Sequence, residues 1–197
     1  MLSYNDSLKI LKETNALIDG HFILSSGLHS TQYVQCAQLL SKPFKAEEFC
    51  ISLAEKISKE FNEIDLILSP AMGGIVIGYE MGRLLKKETI FSERVNGEFK
   101  LRRGFNILKD QKVLVVEDVI TTGKSSLECS QLIKSVGANI LGYACLIDRS
   151  NDKSKLDKKI ISQIKINIPT YRENELPNDL ISIPTTKPGS RDLKWAK

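Results

Sequence analysis

The sequence predicts an α/β fold in which a mostly parallel sheet is flanked by helices. Three short runs of largely apolar residues, "IDLILS", "KVLVVEDV" and "NILGYACLID", alternate with stretches of helical periodicity, and the glycine-containing turns "PAMGG" and "TTGKS" follow the first two. Apolar strands separated by helices are typical of a parallel sheet covered on both faces. Binding sites in such folds lie where strands end and helices begin, so functional residues are expected there.

The composition is that of an ordinary globular protein. With 197 residues, 42% hydrophobic and 26% charged, the chain is long enough for one sizeable core, and a single domain over residues 1–197 is predicted. The apolar runs are shorter than the roughly 18 residues of a membrane-spanning helix. The N-terminal segment "MLSYNDSLKILKE" lacks the basic-then-apolar pattern of a signal peptide. A cytoplasmic protein without a membrane partner is therefore expected.

Cysteine content and net charge narrow the cofactors and partners. The four cysteines and two histidines are scattered, without a CxxC pair, and indicate neither a disulfide framework nor a structural metal site. The net charge of +4 is modest. It favours no nucleic-acid partner, and it is compatible with a small polyanionic substrate.

The N-terminal part of the chain is predicted to hold two helices around a pair of extended segments. The first helix is expected to begin at a cap formed by Asn5 or Asp6 and to end at Gly20. The segment "HFILSSGLHSTQYVQCAQL" predicts two extended pieces that turn at Gly27. After Pro43, apolar residues in "AEEFCISLAEKISKEF" recur in steps of three and four, which indicates one face of a second helix.

The rest of the chain alternates strands and helices. A glycine-rich turn leads into the helical pattern "IVIGYEMGRLLKK", and Asn96-Gly97 is a strong hairpin signal between "TIFSERV" and "EFKLRRG". The strand "QKVLVVEDV", the helix "GKSSLECSQLIKSVGA" and the strand "NILGYACLID" follow. The alternating pattern from Ile160 predicts one more strand, and the Pro- and Asn-rich tail beyond it predicts an irregular cover.

The stretch "VLVVEDVITTGKSS", residues 113–126, carries the chemistry. Its "GKS" resembles the end of a nucleotide-binding P-loop, but a P-loop needs glycine five residues before Gly123, where this chain has Asp118. Residues 121–125 would instead wrap the N-terminus of a helix, whose free N–H groups and dipole attract a phosphate. Glu117 and Asp118 would repel that phosphate on contact, but they can accept hydrogen bonds from ribose hydroxyls a few Å away. The stretch therefore predicts a ribose 5-phosphate site.

The same stretch resembles the 5-phosphoribosyl-1-pyrophosphate (PRPP) signature of the type I phosphoribosyltransferases. The segments "GHFILSSGLHSTQYVQCAQLL", "SPAMGGIVIGYEMGR", "FSERVNGEFKLRRGF", "ACLIDRS" and "KPGSR" resemble the orotate phosphoribosyltransferases, in particular a bacterial branch. The resemblance runs from about Gly20 to the C-terminus. It implies a type I phosphoribosyltransferase fold with a flexible β-hairpin loop and a small hood formed mainly by residues 1–42 and parts of the C-terminal tail.

The resemblance implies a role for each matching residue. Thr121 and Arg149 fall where the family contacts orotate, and a guanidinium fork also suits a carboxylate on chemical grounds alone. "PAMGG" resembles the loop that receives pyrophosphate. The implied PRPP-binding residues are Glu117, Asp118, Val119, Ile120, Thr121, Thr122, Gly123, Lys124, Ser125, Met72, Gly73 and Gly74.

The implied reaction is a magnesium-dependent displacement of pyrophosphate from C1 of the ribose by N1 of orotate, which gives orotidine 5'-monophosphate for pyrimidine biosynthesis. The substrate oxygens would hold the Mg²⁺, with no dedicated protein cage. The implied catalytic residues are Arg94, Lys100, Arg102, Arg103 and Asp118. In the family the hairpin that bears these cations reaches into a neighbouring subunit, which implies a homodimer.

The chain departs from the better-known branch of that family at several positions. It has no histidine after His29, Ser25 stands where that branch has a lysine, and Met72 stands where it has another. Two alternatives remain open. One is a phosphoribosyltransferase for another base, which would lack a cation such as Arg149 for a carboxylate. The other is a PRPP-sensing regulatory protein that binds nucleic acid, which would need a concentrated basic face, whereas the basic residues here are spread along the sequence.

Overall fold

The computed structural model describes residues 1–24, 26–151 and 154–188. Its helices are α1 (Tyr4–Glu13), α2 (Cys36–Leu40), α3 (Pro43–Glu60), α4 (Gly74–Leu85), α5 (Lys124–Ser135) and α6 (Asn178–Ile181), with a 3-10 helix at Glu173–Glu175. Its strands are β1 (Leu17–Ile23), β2 (His29–Val34), β3 (Leu66–Pro70), β4 (Glu88–Val95), β5 (Glu98–Leu101), β6 (Lys112–Ile120), β7 (Asn139–Asp148), β8 (Ile160–Lys165), β9 (Thr170–Tyr171) and β10 (Thr185–Thr186). None of the helices in these described ranges is long and apolar enough to cross a membrane.

The main sheet has six strands in the order β5-β4-β3-β6-β7-β8. Five of them run parallel, and β5 is joined antiparallel to β4. Asn96 and Gly97 connect these two strands with φ angles of 51° and 86°. Two consecutive positive φ angles are typical of a tight hairpin turn, so the predicted hairpin and the mostly parallel sheet are both confirmed.

Both faces of this sheet are buried. Along β6, Leu114 and Val116 belong to a core cluster that also contains α1, α3 and α4 side chains. The alternate residues Val113 and Val115 belong to a second cluster with the α5 side chain Ile133. Because successive side chains of a strand point to opposite faces, a strand covered on both faces needs apolar residues at every position. This explains the unbroken apolar runs in the sequence.

A second, four-stranded sheet has the order β10-β1-β2-β9 and combines segments near the two ends of the chain. Its β1–β2 connection turns at Gly27, which has a φ of 80°. His21 and His29 are buried within this sheet, and their Nε2 and Nδ1 atoms lie 2.6 Å apart. Both histidines have structural partners, as the other nitrogen of His21 lies 3.0 Å from the carbonyl oxygen of Ile183. Whether this sheet and α1 form a separate hood stays a prediction, as does the single domain.

The predicted first helix was wrong at both ends. Ser3, rather than Asn5 or Asp6, caps α1, and Asp6 completes a capping box with it. The helix ends at Glu13 because Asn15 adopts a left-handed φ of 59°. Residues 17–20, which the prediction placed in the helix, belong to β1. The short helix α2 was not predicted. Pro43 occupies the first turn of α3, which confirms the predicted start of that helix.

Candidate active site

Three strand ends bring the candidate residues to one edge of the main sheet. The loop after β3 carries Met72 and Gly73, β6 leads into the loop before α5, and Arg149 follows β7. The pairing of β6 with β7 places Ile120 beside Asp148, and the backbone N–H of Arg149 donates to the carbonyl oxygen of Ile120 at 2.8 Å. Arg149 therefore lies next to the start of the loop at Thr121.

The two acidic residues at the end of β6 contact different elements. Glu117 is 8% exposed and accepts a hydrogen bond from the Ser126 hydroxyl on α5. Burial raises the pKa of Glu117 to about 7, and hydrogen bonds from Ser126 oppose that rise. Asp118 lies against the start of α4 at Gly73, and burial raises its pKa too. The two carboxylates therefore lie on opposite faces of the strand end, one against α5 and one against Gly73, and do not form one cluster.

Gly73 is required by this close approach rather than by its backbone angles. Its φ of −58° and ψ of −36° are open to any residue. A Cβ atom at Gly73 would, however, lie 2.8 Å from both carboxylate oxygens of Asp118, which is too close for real contacts. Gly74 is also confined, since a Cβ there would lie 3.2 Å from the carbonyl oxygen of Val116. The two glycines therefore let the loop after β3 pack onto the end of β6.

The loop from Thr121 to Ser125 ends at the N-terminus of α5. Gly123 occupies the position before the helix with a left-handed φ of 74°, and no side chain of the described residues caps the helix there. A Cβ atom at Gly123 would lie 2.8 Å from the Cγ atom of Leu156, so the segment between β7 and β8 packs behind the loop. Thr121, Thr122 and Lys124 are exposed. The backbone N–H of Ser126 donates to Glu117, whereas the amides before it in the first turn have no partner within the helix and are suited to an anion.

Arg149 has an unpartnered donor. Its Nε atom is buried and makes no hydrogen bond to the residues that the structure describes. Burial lowers the pKa of the guanidinium from its ordinary value, with Tyr33 and Cys36 as the nearby groups that act against this shift. A half-buried guanidinium whose Nε donor has no partner among the described residues is suited to a ligand carboxylate.

The second sheet adds residues that the sequence did not reveal. Burial raises the pKa of Tyr33 on β2. The charge of Arg149 opposes this rise, and the charge of Asp118 adds to it. The Cys36 thiol donates to the backbone carbonyl oxygen of Asp118 at 3.7 Å. No local motif marks Tyr33, which is brought here only by the packing of β2. A cavity of about 370 Å³ beside these groups is lined by Gln35, Ala37, Leu40, Ser41, Met72, Gly73, Val76 and Asp118.

The four cations of the hairpin are all paired with carboxylates. Arg94 donates to Glu128 of α5 at 2.6 Å and lies 4.2 Å from the centre of the Phe99 ring. The partners of the other three cations lie within the hairpin itself. Arg103 and Arg102 lie 2.6 and 3.8 Å from Glu93, and Lys100 lies 3.7 Å from Glu98. Of the four predicted catalytic cations, Arg94 alone is joined by an ion pair to the helix that follows the phosphate loop.

Residues 1–24, 26–151 and 154–188 contain no group of three or more His, Cys, Asp or Glu side chains that could hold a metal ion. The carboxylates of Glu117 and Asp118 contact different elements and form no cage for a hard cation, so substrate oxygens would have to supply most of its ligands. Ser25 and residues 189–191 of "KPGSR", which belong to segments that carry the family resemblance, lie outside the described residues.

The fold and the site define a phosphoribosyltransferase domain, and the family model of the phosphoribosyl transferase domain matches residues 42–177. The chain is 47% identical to an orotate phosphoribosyltransferase of Erythrobacter litoralis over 185 residues, which cover 93% of this chain and 96% of that protein. A second, from Parvibaculum lavamentivorans, is 48% identical over 192 residues, with 95% and 99% covered. The chain therefore belongs to the orotate phosphoribosyltransferase family.

A solved structure has the same fold. The crystal structure of orotate phosphoribosyltransferase from Aeropyrum pernix superposes with a TM-score of 0.68 at 24% identity, and the match covers 80% of this chain and 92% of that one. The predicted type I phosphoribosyltransferase fold is confirmed.

Proposed function

We propose that this chain transfers the ribose 5-phosphate group of PRPP to orotate, giving orotidine 5'-monophosphate and pyrophosphate in the synthesis of UMP. Membership of the family supports this reaction. The observation that carries it at the site is the guanidinium of Arg149, whose buried Nε atom has no partner among the described residues and which lies beside a loop suited to a phosphate. A cation for a substrate carboxylate and an anion-binding helix terminus are the two features that a transfer to orotate requires.

The PRPP half of the site uses the ends of β6 and β3. The free amides before α5 and the hydroxyls of Thr121, Thr122 and Ser125 bind the 5-phosphate. Glu117 and Asp118 accept hydrogen bonds from the ribose hydroxyls. The loop with Met72, Gly73 and Gly74 receives the pyrophosphate. Val119, Ile120, Gly123 and Lys124 complete the PRPP-contacting segment.

The orotate half uses Thr121 and Arg149. Two parallel hydrogen bonds from the guanidinium to the orotate carboxylate fix the base relative to C1 of the ribose. A purine or uracil has no carboxylate and leaves Arg149 unpaired, so the site discriminates against those bases. This pairing distinguishes the proposal from a phosphoribosyltransferase for another base.

Catalysis rests on positioning and on charge stabilisation. N1 of orotate attacks C1 as an anion, so little proton transfer is needed, and the developing charge lies on the leaving pyrophosphate. Arg94, Lys100, Arg102 and Arg103 approach that charge after exchanging their present carboxylate partners for it, and Asp118 keeps the ribose in line. Glu117 and Asp118 hold the ribose hydroxyls, and a Mg²⁺ held chiefly by substrate oxygens would supply positive charge to offset that of the pyrophosphate.

We propose that the protein is a cytoplasmic homodimer and that the hairpin of each subunit reaches the site of the other. A patch of exposed apolar side chains around α3 and α4 supports association of two copies. Phe44 is 88%, Met72 81%, Tyr79 66% and Val76 53% exposed. Sedimentation at micromolar concentration is expected to give twice the mass of the chain, and Tyr79→Glu is expected to shift the protein to a single copy. A wild-type protein that sediments as a single copy would contradict the dimer.

The test of the proposed function is orotate-dependent consumption of PRPP, followed as loss of orotate absorbance in the presence of magnesium. The wild-type protein is expected to be active. Arg149→Ala is expected to raise KM for orotate, while Asp118→Asn is expected to lower the rate with PRPP. A wild-type protein that consumes PRPP with a purine or uracil, but not with orotate, would support the alternative base. A protein inactive with every base, but whose binding to RNA responds to PRPP, would support the regulatory alternative.

A further inference from the structure

Ser126 lies one residue beyond the segment proposed to bind PRPP, in the first turn of α5. Its side chain is fully buried, at 0% exposure. Its hydroxyl donates to the Oε1 atom of Glu117, a carboxylate on the neighbouring strand β6. An ionised carboxylate has no proton to donate, so the Ser126 hydroxyl must be the donor in this bond.

We propose that Ser126 is a positioning residue whose hydroxyl fixes the Glu117 carboxylate for binding the ribose hydroxyls of PRPP. The inference rests on the proposed function, because it assigns Glu117 to the ribose. Ser126 acts through Glu117 and does not contact the substrate.

Packing alone does not require a serine at this position. Ser126, Cys129, Ser130 and Ile133 follow the spacing of one helix face, and all four are buried. Alanine would suit such a face as well as serine does, and it has the higher helix propensity. A buried hydroxyl in this environment is stabilised only when it is hydrogen-bonded. The bond to Glu117 is therefore the feature that distinguishes Ser126 from an alanine.

The surroundings of Glu117 make this bond important for its charge. The charges of Asp118 on β6 and Glu128 on α5 both disfavour the ionised carboxylate, as burial does. The thiols of Cys129 on α5 and Cys145 on β7 also face it. The hydrogen bond from the Ser126 hydroxyl favours the ionised form, and a smaller contribution comes from the Ser126 backbone N–H. Without the hydroxyl, Glu117 would keep only the backbone bond and would be both less fixed and more readily protonated.

The bond also ties two parts of the site together. Glu117 lies on the strand that carries the ribose-binding carboxylates, while Ser126 begins the helix whose N-terminus binds the 5-phosphate. A hydrogen bond between them fixes the distance between the ribose and phosphate subsites. Loss of the bond is therefore expected to affect PRPP and not orotate.

Ser130 provides a matched control one turn further along α5. It is also 0% exposed, and its hydroxyl lies 2.6 Å from the hydroxyl of Tyr143 instead of a site carboxylate. Ser126→Ala and Ser130→Ala thus remove the same atom from the same buried helix face. Only the first removes a side-chain hydrogen bond to Glu117, and it leaves the bond from the backbone N–H of residue 126 in place.

The experiment compares steady-state kinetics of the wild type, Ser126→Ala, Ser126→Thr and Ser130→Ala from pH 6 to 9. Ser126→Ala is expected to raise KM for PRPP about tenfold, the effect of losing a hydrogen bond to a charged group, while KM for orotate changes by less than about twofold. The acid limb of the pH profile for PRPP is expected to move to higher pH. Ser126→Thr, which keeps the hydroxyl, is expected to retain a KM near that of the wild type. Ser130→Ala is expected to lower the melting temperature without raising KM for PRPP.

Equal increases in KM for PRPP in Ser126→Ala and Ser130→Ala would overturn the proposal, as would an unchanged KM and pH profile in Ser126→Ala. Should Ser126→Ala fold poorly, Ser126→Cys offers a side chain of similar shape with a weak donor, and the same rise in KM is expected. Stabilisation of the protein by PRPP against thermal unfolding, measured without orotate, distinguishes a failure of the proposed function from a failure of the role proposed for Ser126. If the wild type ignores orotate but PRPP stabilises it, the proposed function fails, and loss of that stabilisation in Ser126→Ala still supports the inference. If PRPP does not stabilise the wild type, both fail.

Discussion

The phosphate loop with its flanking carboxylates and the basic hairpin differ in how far a single chain organises them. At the end of β6, Glu117 accepts a hydrogen bond from Ser126, and Asp118 packs against Gly73. The buried Nε atom of Arg149 has no hydrogen-bond partner among the residues that the structure describes. In the hairpin, each of the four cations is engaged by a carboxylate of its own chain. The first region is ready for its ligand, and the second must exchange partners before it can bind one.

We infer that the region formed before the ligand arrives serves chiefly to bind PRPP, and that the hairpin serves chiefly to stabilise the charge that develops during the reaction. A rigid region that is built before the substrate arrives lowers the entropy lost on binding. A region whose cations are neutralised until closure avoids an uncompensated cluster of positive charge in the free protein, and it can follow the charge that develops on the leaving group. The rigid region should therefore be sensitive to the removal of single atoms, and the hairpin should be sensitive to the balance of its ion pairs.

The largest effect is expected from Gly73→Ala, which breaks the rigid region. The added Cβ would lie 2.8 Å from both Asp118 carboxylate oxygens, so that carboxylate must move. Misplacing a positioning group by about 1 Å lowers the rate about a hundredfold, and kcat/KM for PRPP is expected to fall by that factor. The Asp118→Ala variant and the double variant test this reason. The effects of Gly73→Ala and Asp118→Ala should not be additive, because the added Cβ has no carboxylate to displace once Asp118 is alanine. Full additivity would show that the glycine serves some other purpose.

A smaller effect is expected from pH, acting on Glu117. Burial raises the pKa of this acid from 4.5 to about 7, so its hydrogen-bond-accepting carboxylate is lost as the pH falls below 7. KM for PRPP is expected to rise about tenfold between pH 8 and pH 6 beyond the change due to ionisation of PRPP itself. Glu117→Gln, which does not titrate, serves as the control and should show only the contribution of PRPP. The same slope in both proteins would contradict the assignment.

The same shift has an opposite sign for the stability of the ligand-free protein. Because the folded-state pKa lies above the unfolded value, the contribution of Glu117 is fully present below pH 4.5 and is lost as the pH rises through about 7. Replacing it with glutamine should therefore stabilise the free protein more at pH 8 than at pH 5. Melting temperatures of the two proteins at both pH values measure this difference.

The rigid region was also the more predictable of the two. The strand, the acidic residues and the glycine-containing loop are contiguous in "VLVVEDVITTGKS", so local sequence predicts both the element and its chemistry. The divergence of Glu117 and Asp118 towards α5 and Gly73 was not predicted, because it depends on which helices cover each face. Tyr33 was missed for the same reason, since only the packing of the second sheet brings it near Arg149.

The predicted fold was wrong where the hydrophobic pattern favoured a helix but the backbone conformation of a single residue ended it. The pattern of leucines predicted a first helix as far as Gly20, but the left-handed Asn15 ends it and lets residues 17–23 pair with β2. The hairpin turn at Asn96-Gly97 was predictable because that dipeptide favours the required angles by itself. The ion pairs across the hairpin were not, because they depend on the registers of β4, β5 and α5.

The smallest effect is expected from freeing the hairpin cations, which sharpens the contrast between the two regions. Glu93 binds both Arg102 and Arg103, so Glu93→Gln is expected to make two cations available and to raise kcat/KM for PRPP about two- to fivefold, in keeping with the small energies of exposed ion pairs. Glu98→Gln is the matched control. Its 3.7 Å pair with Lys100 joins side chains that are 78% and 51% exposed, and its loss should change kcat/KM by less than about twofold. Because salt screens exposed pairs, the advantage of Glu93→Gln should shrink as ionic strength rises. A decrease in kcat/KM for Glu93→Gln would instead mean that Glu93 holds the two arginines in their working positions, and the hairpin would then be as preorganised as the phosphate loop.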